Sequence, residues 1–182
     1  MERRKIGLLG GTFDPPTILH IDLAELAIER FGLERVILIP AADPWQKSPA
    51  SSAADRLAMC KLAVMGHKRL NVSDMELQRS GPTYTVDTLR YLVTKCPEAE
   101  FMFLIGEDID TSTWHDESEC RRLAQFVRIA RTDIKERFGI GIDLGVPSGS
   151  STEAREAIAA GKESHLLQPR VKAYITKNGL YI

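Results

Sequence analysis

Near its start the chain carries the stretch that predicts its fold, K-I-G-L-L-G-G-T-F-D-P-P-T-I-L-H at residues 5–20. Residues 5–9 form a short apolar run that ends at a glycine pair, which is typical of a buried parallel strand and the turn after it. Apolar side chains then recur at helical spacing and stop at Gly32, at positions Leu23, Ala24, Leu26, Ala27 and Phe31. The stretch therefore predicts a strand, a loop and a helix in that order.

The same alternation continues along the chain. Further strands are predicted at residues 36–39, 70–73, 101–105, 126–130 and 140–146, and further helices at 53–65, 85–95, 151–160 and 170–177. Repeated strand–helix units indicate an α/β fold, a Rossmann-like doubly wound parallel sheet with helices on both faces. Ligands of such sheets bind outside the carboxyl ends of the strands, so function is expected in the loops that follow strands.

Length and composition narrow the class of protein. A chain of 182 residues predicts one domain spanning residues 1–182. With 24 basic and 25 acidic side chains, the net charge favours neither nucleic acid nor a membrane as a partner, so any phosphate must be bound locally. The three cysteines are widely spaced without a Cys-x-x-Cys pair, which predicts reduced thiols in the cytoplasm. We see no targeting segment and no apolar run long enough to cross a bilayer.

The loop after the first strand places Thr17 and His20 three residues apart at the start of a helix. That spacing puts both side chains on one face, beside backbone N–H groups and the positive end of the helix dipole, an arrangement that suits a phosphate. A lone histidine could equally cap the helix or pack against it. The glycine pair is weak evidence by itself, because it is not the G-x-G-x-x-G fingerprint of dinucleotide sites.

The same loop resembles the first motif of the nucleotidyltransferase superfamily, G-G-T-F-D-P followed by (His or Thr)-x-Gly-His. Within that superfamily the chain is similar to nicotinate mononucleotide adenylyltransferases of the bacterial type. The resemblance implies that Thr17 and His20 contact the phosphates of ATP. It also implies an ATP-binding role for Gly10, Gly11, Thr12 and Phe13. Leu19 stands where the pattern has glycine, and a leucine there is expected to crowd the nucleotide.

The loop after the second strand, P-A-A-D-P-W-Q-K at residues 40–47, is similar to the segment P-x-x-x-P-(His or Trp)-x-Lys of that family. The resemblance implies that Lys47 faces a phosphate as a point charge and that Trp45 belongs to the nicotinate mononucleotide site. Without the resemblance, Lys47 fits a surface lysine equally well and Trp45 fits a packing residue.

The most specific match is E-L-Q-R-S-G-P-T-Y-T-V-D-T-L at residues 76–89, which looks like the family signature S/G-P-(S/T)-Y-T-x-x-T-L. Gly81 and Pro82 predict a turn, and Thr85 opens a helix whose unpaired backbone N–H groups could bind a carboxylate. The resemblance implies that Tyr84 and Thr85 contact nicotinate mononucleotide, whose ring carries such a carboxylate. An ordinary Ser/Thr-rich helix start would explain the cap but not the whole run.

Two shorter matches follow the fourth predicted strand. Residues 106–108, G-E-D, resemble the family's Gly-Ala-Asp, which implies that Asp108 approaches the ribose of ATP. Glu107 adds a negative charge that the sequence does not explain. Trp114 matches a family tryptophan that stacks on the nicotinate ring, and His115 is assigned to the same site. Core packing is the alternative for Trp114.

The last match is G-S-S-T-E-A-R at residues 149–155, which resembles the superfamily motif I-S-S-T-x-x-R. Ser150 and Glu153 predict a capping box, so the N–H groups that follow could face an anion. Arg155 falls on the first turn, where its forked donors could hold a phosphate. The resemblance implies ATP binding by Ser151 and Thr152 and a catalytic role for Arg155 beside Thr17 and His20.

These motifs together imply an enzyme of NAD biosynthesis that transfers the adenylyl group of ATP to nicotinate mononucleotide, giving deamido-NAD and pyrophosphate. Mg²⁺ is expected to arrive with ATP, since no carboxylate cluster suggests a protein-held metal. The expected partners are the two substrates, and the sequence is compatible with a homo-oligomer.

Two alternative functions stay open. One is phosphopantetheine adenylyltransferase, which shares threonine at the first motif position but lacks the 81–89 signature; the other is a catalytically weakened nucleotide-binding homologue, suggested by Leu19 and Glu107.

Overall fold

The computed structural model describes residues 3–42, 44, 48–79, 81–106, 109–130, 141–143 and 149–182, with the backbone alone at 130 and 141–143. Within these residues the strands are β1 (Arg4–Gly11), β2 (Arg35–Pro40), β3 (Leu70–Val72), β4 (Ala99–Gly106), β5 (Gln125–Ala130) and β6 (Gly141–Asp143). The helices are α1 (Ile18–Phe31), α2 (Ala53–Ala63), α3 (Thr85–Lys95), α4 (Glu117–Leu123), α5 (Ser151–Ala159) and α6 (Pro169–Lys177). None of the described helices combines the length and apolar character needed to cross a membrane.

The described strands form one sheet in the order β3-β2-β1-β4-β5-β6, and every pairing is parallel. This order confirms the predicted Rossmann-like doubly wound sheet. Strand β1 lies at the centre, where Leu8 pairs with Ile37 of β2 on one side and with Phe103 of β4 on the other. The strand order therefore reverses between β1 and β4, which puts the ligand crevice of this fold beyond Gly11 and Gly106.

Two apolar cores cover the two faces of the sheet, because successive side chains of a strand point to opposite faces. Leu9 faces a core that it shares with α1, α2, α5 and α6. Leu8 faces the other core, shared with α3 and α4. Both leucines are buried, with 0% of Leu8 and 7% of Leu9 exposed. The central strand is thus held from both sides.

The predicted helices and strands are present in the structure, mostly with ends within two residues of the prediction; of the strand predicted at 140–146, residues 140 and 144–146 lie outside the described residues. Helix α3 has the predicted bounds, and α1 stops at Gly32, which adopts a left-handed φ of 62° and donates its N–H to the Ile28 carbonyl. Helix α2 ends at Ala63, two residues earlier than predicted. The sequence did not predict α4 or the 3-10 turn Thr111–Thr113, because α4 reads E-S-E-C-R-R-L and buries only Cys120.

Candidate active site

The loop between β1 and α1, residues 12–17, is here called the first-motif loop. Side chains fill the space beside both glycines that precede it. A Cβ on Gly10 would lie 3.0 Å from the Phe103 ring, and a Cβ on Gly11 would lie 3.1 Å from the Phe13 ring. Phe13 has a positive φ of 50° and is 2% exposed. A left-handed non-glycine residue costs roughly 1–3 kcal/mol, so the surrounding packing must hold it there. With its side chain buried, only the backbone of Phe13 could meet ATP as predicted.

Thr17 orients the His20 ring. Thr17 caps α1, and both its backbone N–H, at 3.0 Å, and its hydroxyl oxygen, at 2.8 Å, contact His20 Nδ1. Because a backbone N–H can only donate, Nδ1 accepts and the ring proton of the neutral histidine lies on Nε2. Thr17 is 2% exposed, whereas His20 is partly exposed. The structure thus assigns Thr17 to the histidine, while its predicted phosphate contact stays a prediction.

The first and last motifs meet in the fold, although their contacts join residues 136 and 141 positions apart. Ser151 Oγ donates to the Pro15 carbonyl at 2.8 Å, and Arg155 Nη1 donates to the Asp14 carbonyl at 2.6 Å. Arg155 Nη2 lies 3.2 Å from Thr152 Oγ1. Ser150 caps α5 as predicted, since the Glu153 N–H donates to its hydroxyl at 3.1 Å. The start of α5 is therefore fixed against the first-motif loop.

A buried carboxylate within the first-motif loop, that of Asp14, bonds the loop to two distant segments of the chain. Asp14 is 3% exposed, and its side chain accepts hydrogen bonds from the Ala50 N–H at 2.6 Å, from the Tyr181 hydroxyl at 2.7 Å and from the Ser51 hydroxyl. Asp14 stands inside the first motif, but the sequence did not suggest this role. Three donors match the acceptor capacity of a carboxylate well. Asp14 is thus the point where three distant segments join.

Arg56 of α2 is a second buried charge that sequence reasoning missed. It is 1% exposed, and it donates from Nη1 to the Thr12 carbonyl at 2.8 Å and from Nη2 to the Ala42 carbonyl at 3.2 Å. Burial lowers the pKa of Arg56, and the charge of nearby Asp14 opposes that shift. Arg56 therefore joins the first-motif loop to the loop after β2. No local pattern marks it, because an arginine on an amphipathic helix is usually exposed.

Two of the residues predicted to bind nicotinate mononucleotide, Tyr84 and His115, contact each other at the start of α3. The rings of Tyr84 and His115 lie 4.7 Å apart between centroids, tilted by 34°. Trp114 packs edge-on against Phe103, at 5.8 Å, and Phe126, at 5.6 Å. These contacts support the packing role of Trp114, which is only partly buried. Its stacking on nicotinate stays a prediction.

The start of the 76–89 signature folds back on α3, because Glu76 and Arg79 both bond Thr88 of that helix. This threonine is fully buried, donates to Glu76 Oε1 at 2.7 Å and lies 3.0 Å from Arg79 Nη2. Burial holds the pKa of Glu76 above its ordinary value, although the hydrogen bond from Thr88 and the charge of Arg79 partly oppose this shift. Gly81 has a φ of 88°, as the predicted turn requires, and Thr85 is the first residue of α3. The last threonine of the signature, Thr88, thus anchors the loop.

Four residues named above lie outside the described residues: Trp45, Lys47, Glu107 and Asp108. Their predicted roles stay predictions. Among the described residues, no three His, Cys, Asp or Glu side chains lie close enough together to hold a metal ion. The expected arrival of Mg²⁺ with ATP is not decided by this finding.

Comparison with known proteins identifies the family. A family model described as cytidylyltransferase-like matches residues 8–157, which include both the first and the last motif. A protein of Dehalococcoides mccartyi named "Probable nicotinate-nucleotide adenylyltransferase" is 41% identical, over 97% of this chain and 97% of its own length. A protein of the same name from Synechococcus sp. (strain JA-3-3Ab) is 36% identical, over 100% of this chain and 96% of its own. The chain belongs to the nicotinate-nucleotide adenylyltransferases of the cytidylyltransferase-like family.

Solved structures agree on the fold. Plasmodium falciparum nicotinic acid mononucleotide adenylyltransferase complexed with NaAD aligns with a TM-score of 0.82, over 98% of this chain and 97% of that one, at 21% identity. The same enzyme complexed with APC aligns with a TM-score of 0.79 at 20% identity and the same coverage. These alignments confirm the Rossmann-like fold.

Two departures from the motif patterns face each other in the structure. Leu19 stands where the first motif has glycine, and Gly149 stands where the last motif has isoleucine. A Cβ on Gly149 would lie 2.8 Å from Leu19 Cδ1 and 2.8 Å from Leu166 Cδ2. Leu19 is 8% exposed and belongs to the core that Leu9 faces. The large residue therefore lies on the first-motif side of this contact and the small residue on the last-motif side, the reverse of the motif patterns. The predicted crowding of the nucleotide by Leu19 was based on position 19 alone, and it stays a prediction.

We expect Gly149→Ala to lower the free energy of unfolding by about 1–3 kcal/mol, because its methyl group overpacks a filled space. In a Leu19→Ala background the cost should be smaller by at least about 0.5 kcal/mol, since the methyl group enters vacated space. Guanidinium unfolding of the four proteins measures both costs. Gly161→Ala is the matched control, because it strains a φ of 67° with no other atom within 4 Å and should cost the same in both backgrounds. Equal costs for Gly149→Ala would show that Leu19 and Gly149 are not coupled.

Proposed function

We propose that this chain transfers the adenylyl group of ATP to nicotinate mononucleotide in NAD biosynthesis. A phosphate oxygen of nicotinate mononucleotide bonds to the α-phosphorus of ATP, the bond to the bridging oxygen breaks, and pyrophosphate leaves with the electron pair. The observation that carries the proposal is the contact of Arg155 and Ser151 with Asp14 and Pro15, because it brings the His20 helix and the start of α5 to one edge of the sheet. Membership of the adenylyltransferase family supports the choice of substrates.

The reaction needs positioning and charge stabilisation rather than a protein nucleophile, since a phosphate is already a nucleophile. In this proposal His20 donates from Nε2 to the phosphate in transfer, and Thr17 keeps the ring in that orientation. Arg155 has N–H groups beyond the two that contact Asp14 and Thr152, and these would hold the departing pyrophosphate. ATP enters as its Mg²⁺ complex, so the metal ion is part of the substrate.

The remaining assignments belong to the same proposal. Backbone N–H groups at Thr85 would bind the nicotinate carboxylate, because the start of an 11-residue helix favours negative charge. ATP binding is proposed for Gly10, Gly11, Thr12, Phe13, Asp108, Ser151 and Thr152. Nicotinate mononucleotide binding is proposed for Trp45, Lys47, Tyr84, Thr85, Trp114 and His115. The cytoplasmic location and the oligomeric state stay predictions.

Pyrophosphate release from ATP tests the function, with nicotinate mononucleotide, nicotinamide mononucleotide and phosphopantetheine supplied in turn. We expect the acid to be preferred over the amide by more than about tenfold in kcat/KM, because an amide leaves the N–H groups at Thr85 without their charged acceptor. Equal use of acid and amide would remove Thr85 from substrate selection. Turnover of phosphopantetheine alone would replace the proposed reaction, and turnover of none would indicate the weakened homologue.

The role of His20 predicts a loss in kcat. We expect His20→Ala to lower kcat by roughly 10²–10³-fold, the usual cost of one donor to a developing charge. Thr17→Val, which keeps the backbone N–H but removes the hydroxyl, should give a smaller loss and none beyond that of His20→Ala in the double variant. His67→Ala is the matched control, because His67 pairs with Glu25 at 2.9 Å outside the first-motif loop. An unchanged kcat in His20→Ala would rule out this role.

A further inference from the structure

Near its end the chain returns to the candidate active site. Tyr181 lies beyond α6, and its hydroxyl oxygen is 2.7 Å from Asp14 Oδ1 and 3.1 Å from Ser51 Oγ. Its backbone has a positive φ of 66°, which a tyrosine adopts only where surrounding contacts hold it. The Tyr181–Asp14 bond, between residues 167 positions apart, therefore fixes the segment after α6 to the first-motif loop.

Asp14 connects this tyrosine to both motifs of the proposed reaction. The Asp14 carbonyl accepts a hydrogen bond from the Arg155 guanidinium, and the carbonyl of the next residue, Pro15, accepts one from the Ser151 hydroxyl. Thr17, which orients His20, is three residues further along the same loop. Any movement of Asp14 must therefore move the supports of His20 and Arg155.

We propose that Tyr181 is a positioning residue for adenylyl transfer, whose hydroxyl fixes the first-motif loop through Asp14 and so sets the place of His20 and Arg155. This inference rests on the proposed function. It goes beyond the motifs, since Tyr181 belongs to none of them.

The chemistry of the contact suits this role. Burial raises the pKa of Tyr181, so the phenol keeps its proton at neutral pH and remains a donor. Without that donor, Asp14 keeps the bonds from Ala50 and Ser51 but loses part of the compensation for a buried charge. The carboxylate would then move toward other donors and carry the loop with it. Small displacements of groups that position a reacting phosphate lower the rate steeply.

The test is a double-mutant cycle of Tyr181→Phe with His20→Ala, assayed as full-length proteins with an acceptor that the wild type adenylylates. We expect Tyr181→Phe to lower kcat about tenfold and to leave the KM of the acceptor within about threefold, because His20 and Arg155 are proposed to act on the phosphates of ATP in the transition state. In the His20→Ala background the same substitution should lower kcat by less than about threefold, since only the positioning of Arg155 is then left to lose.

Tyr174→Phe is the matched control. The Tyr174 hydroxyl donates to Asp55 Oδ1 at 2.9 Å, so this substitution also removes a tyrosine–aspartate bond, but one that joins α6 to α2. Its kcat should stay within about twofold of the wild-type value. Ser51→Ala, which removes a neighbouring donor to Asp14, should reproduce the pattern of Tyr181→Phe and keeps the test decisive if the phenylalanine variant is poorly folded.

A kcat of Tyr181→Phe within twofold of the wild-type value would overturn the proposal. So would an equal loss with and without His20, because that result would show that Tyr181 does not act through the position of His20. A wild type that adenylylates another acceptor would contradict the proposed substrate and leave this test intact, since the cycle is run with whichever acceptor is used.

Discussion

The candidate active site depends on the buried carboxylate of Asp14. A charge that is 3% exposed is strongly destabilising unless it is paired or hydrogen-bonded, and here the Ala50 N–H and two hydroxyl groups donate to it. Arg56 is buried next to the same loop and donates to its Thr12 carbonyl and to the Ala42 carbonyl of the loop after β2. The donors to Asp14 come from residues 50–51 and 181, both far from Asp14 along the chain, so the loop reaches its position only when these segments are folded against it. The site is in this sense a product of tertiary structure rather than of the motif alone.

The sequence predicts most of the sheet because the apolar runs of buried parallel strands and the period of α3 are local signals. Periodicity does not predict the strand order. The rules for connecting strand–helix units predict a doubly wound parallel sheet, and the structure shows that its order is β3-β2-β1-β4-β5-β6. Helix α4 escaped prediction because its charged surface carries no apolar stripe. It packs against the sheet through the buried Cys120, and on its surface Arg90 of α3 bonds Glu119.

The motifs find the residues proposed to bind substrate but miss two distant residues that support them. His20 and Arg155 stand in short patterns with a readable physical reason, a helix start and a forked donor. Arg56 and Tyr181 have no such pattern, since nothing near them in the sequence indicates that a distant carbonyl or carboxylate is their partner. Asp14 lies between these cases: the motif contains it, but only the fold shows its donors. Supporting residues are therefore found by following hydrogen bonds from the motif outward.

Leu19 and Gly149 show why a departure from a motif should not be interpreted one position at a time. Considered by itself, a leucine in place of glycine suggests steric crowding of the nucleotide. Considered by itself, a glycine in place of isoleucine suggests the loss of a packing side chain beside the site. In the fold the two face each other at a separation that leaves no room for a Cβ on Gly149. Close packing makes the total volume at a contact a stronger constraint than the identity of either residue. The pair thus keeps the junction of the two motifs filled, so neither departure by itself is evidence of a weakened site.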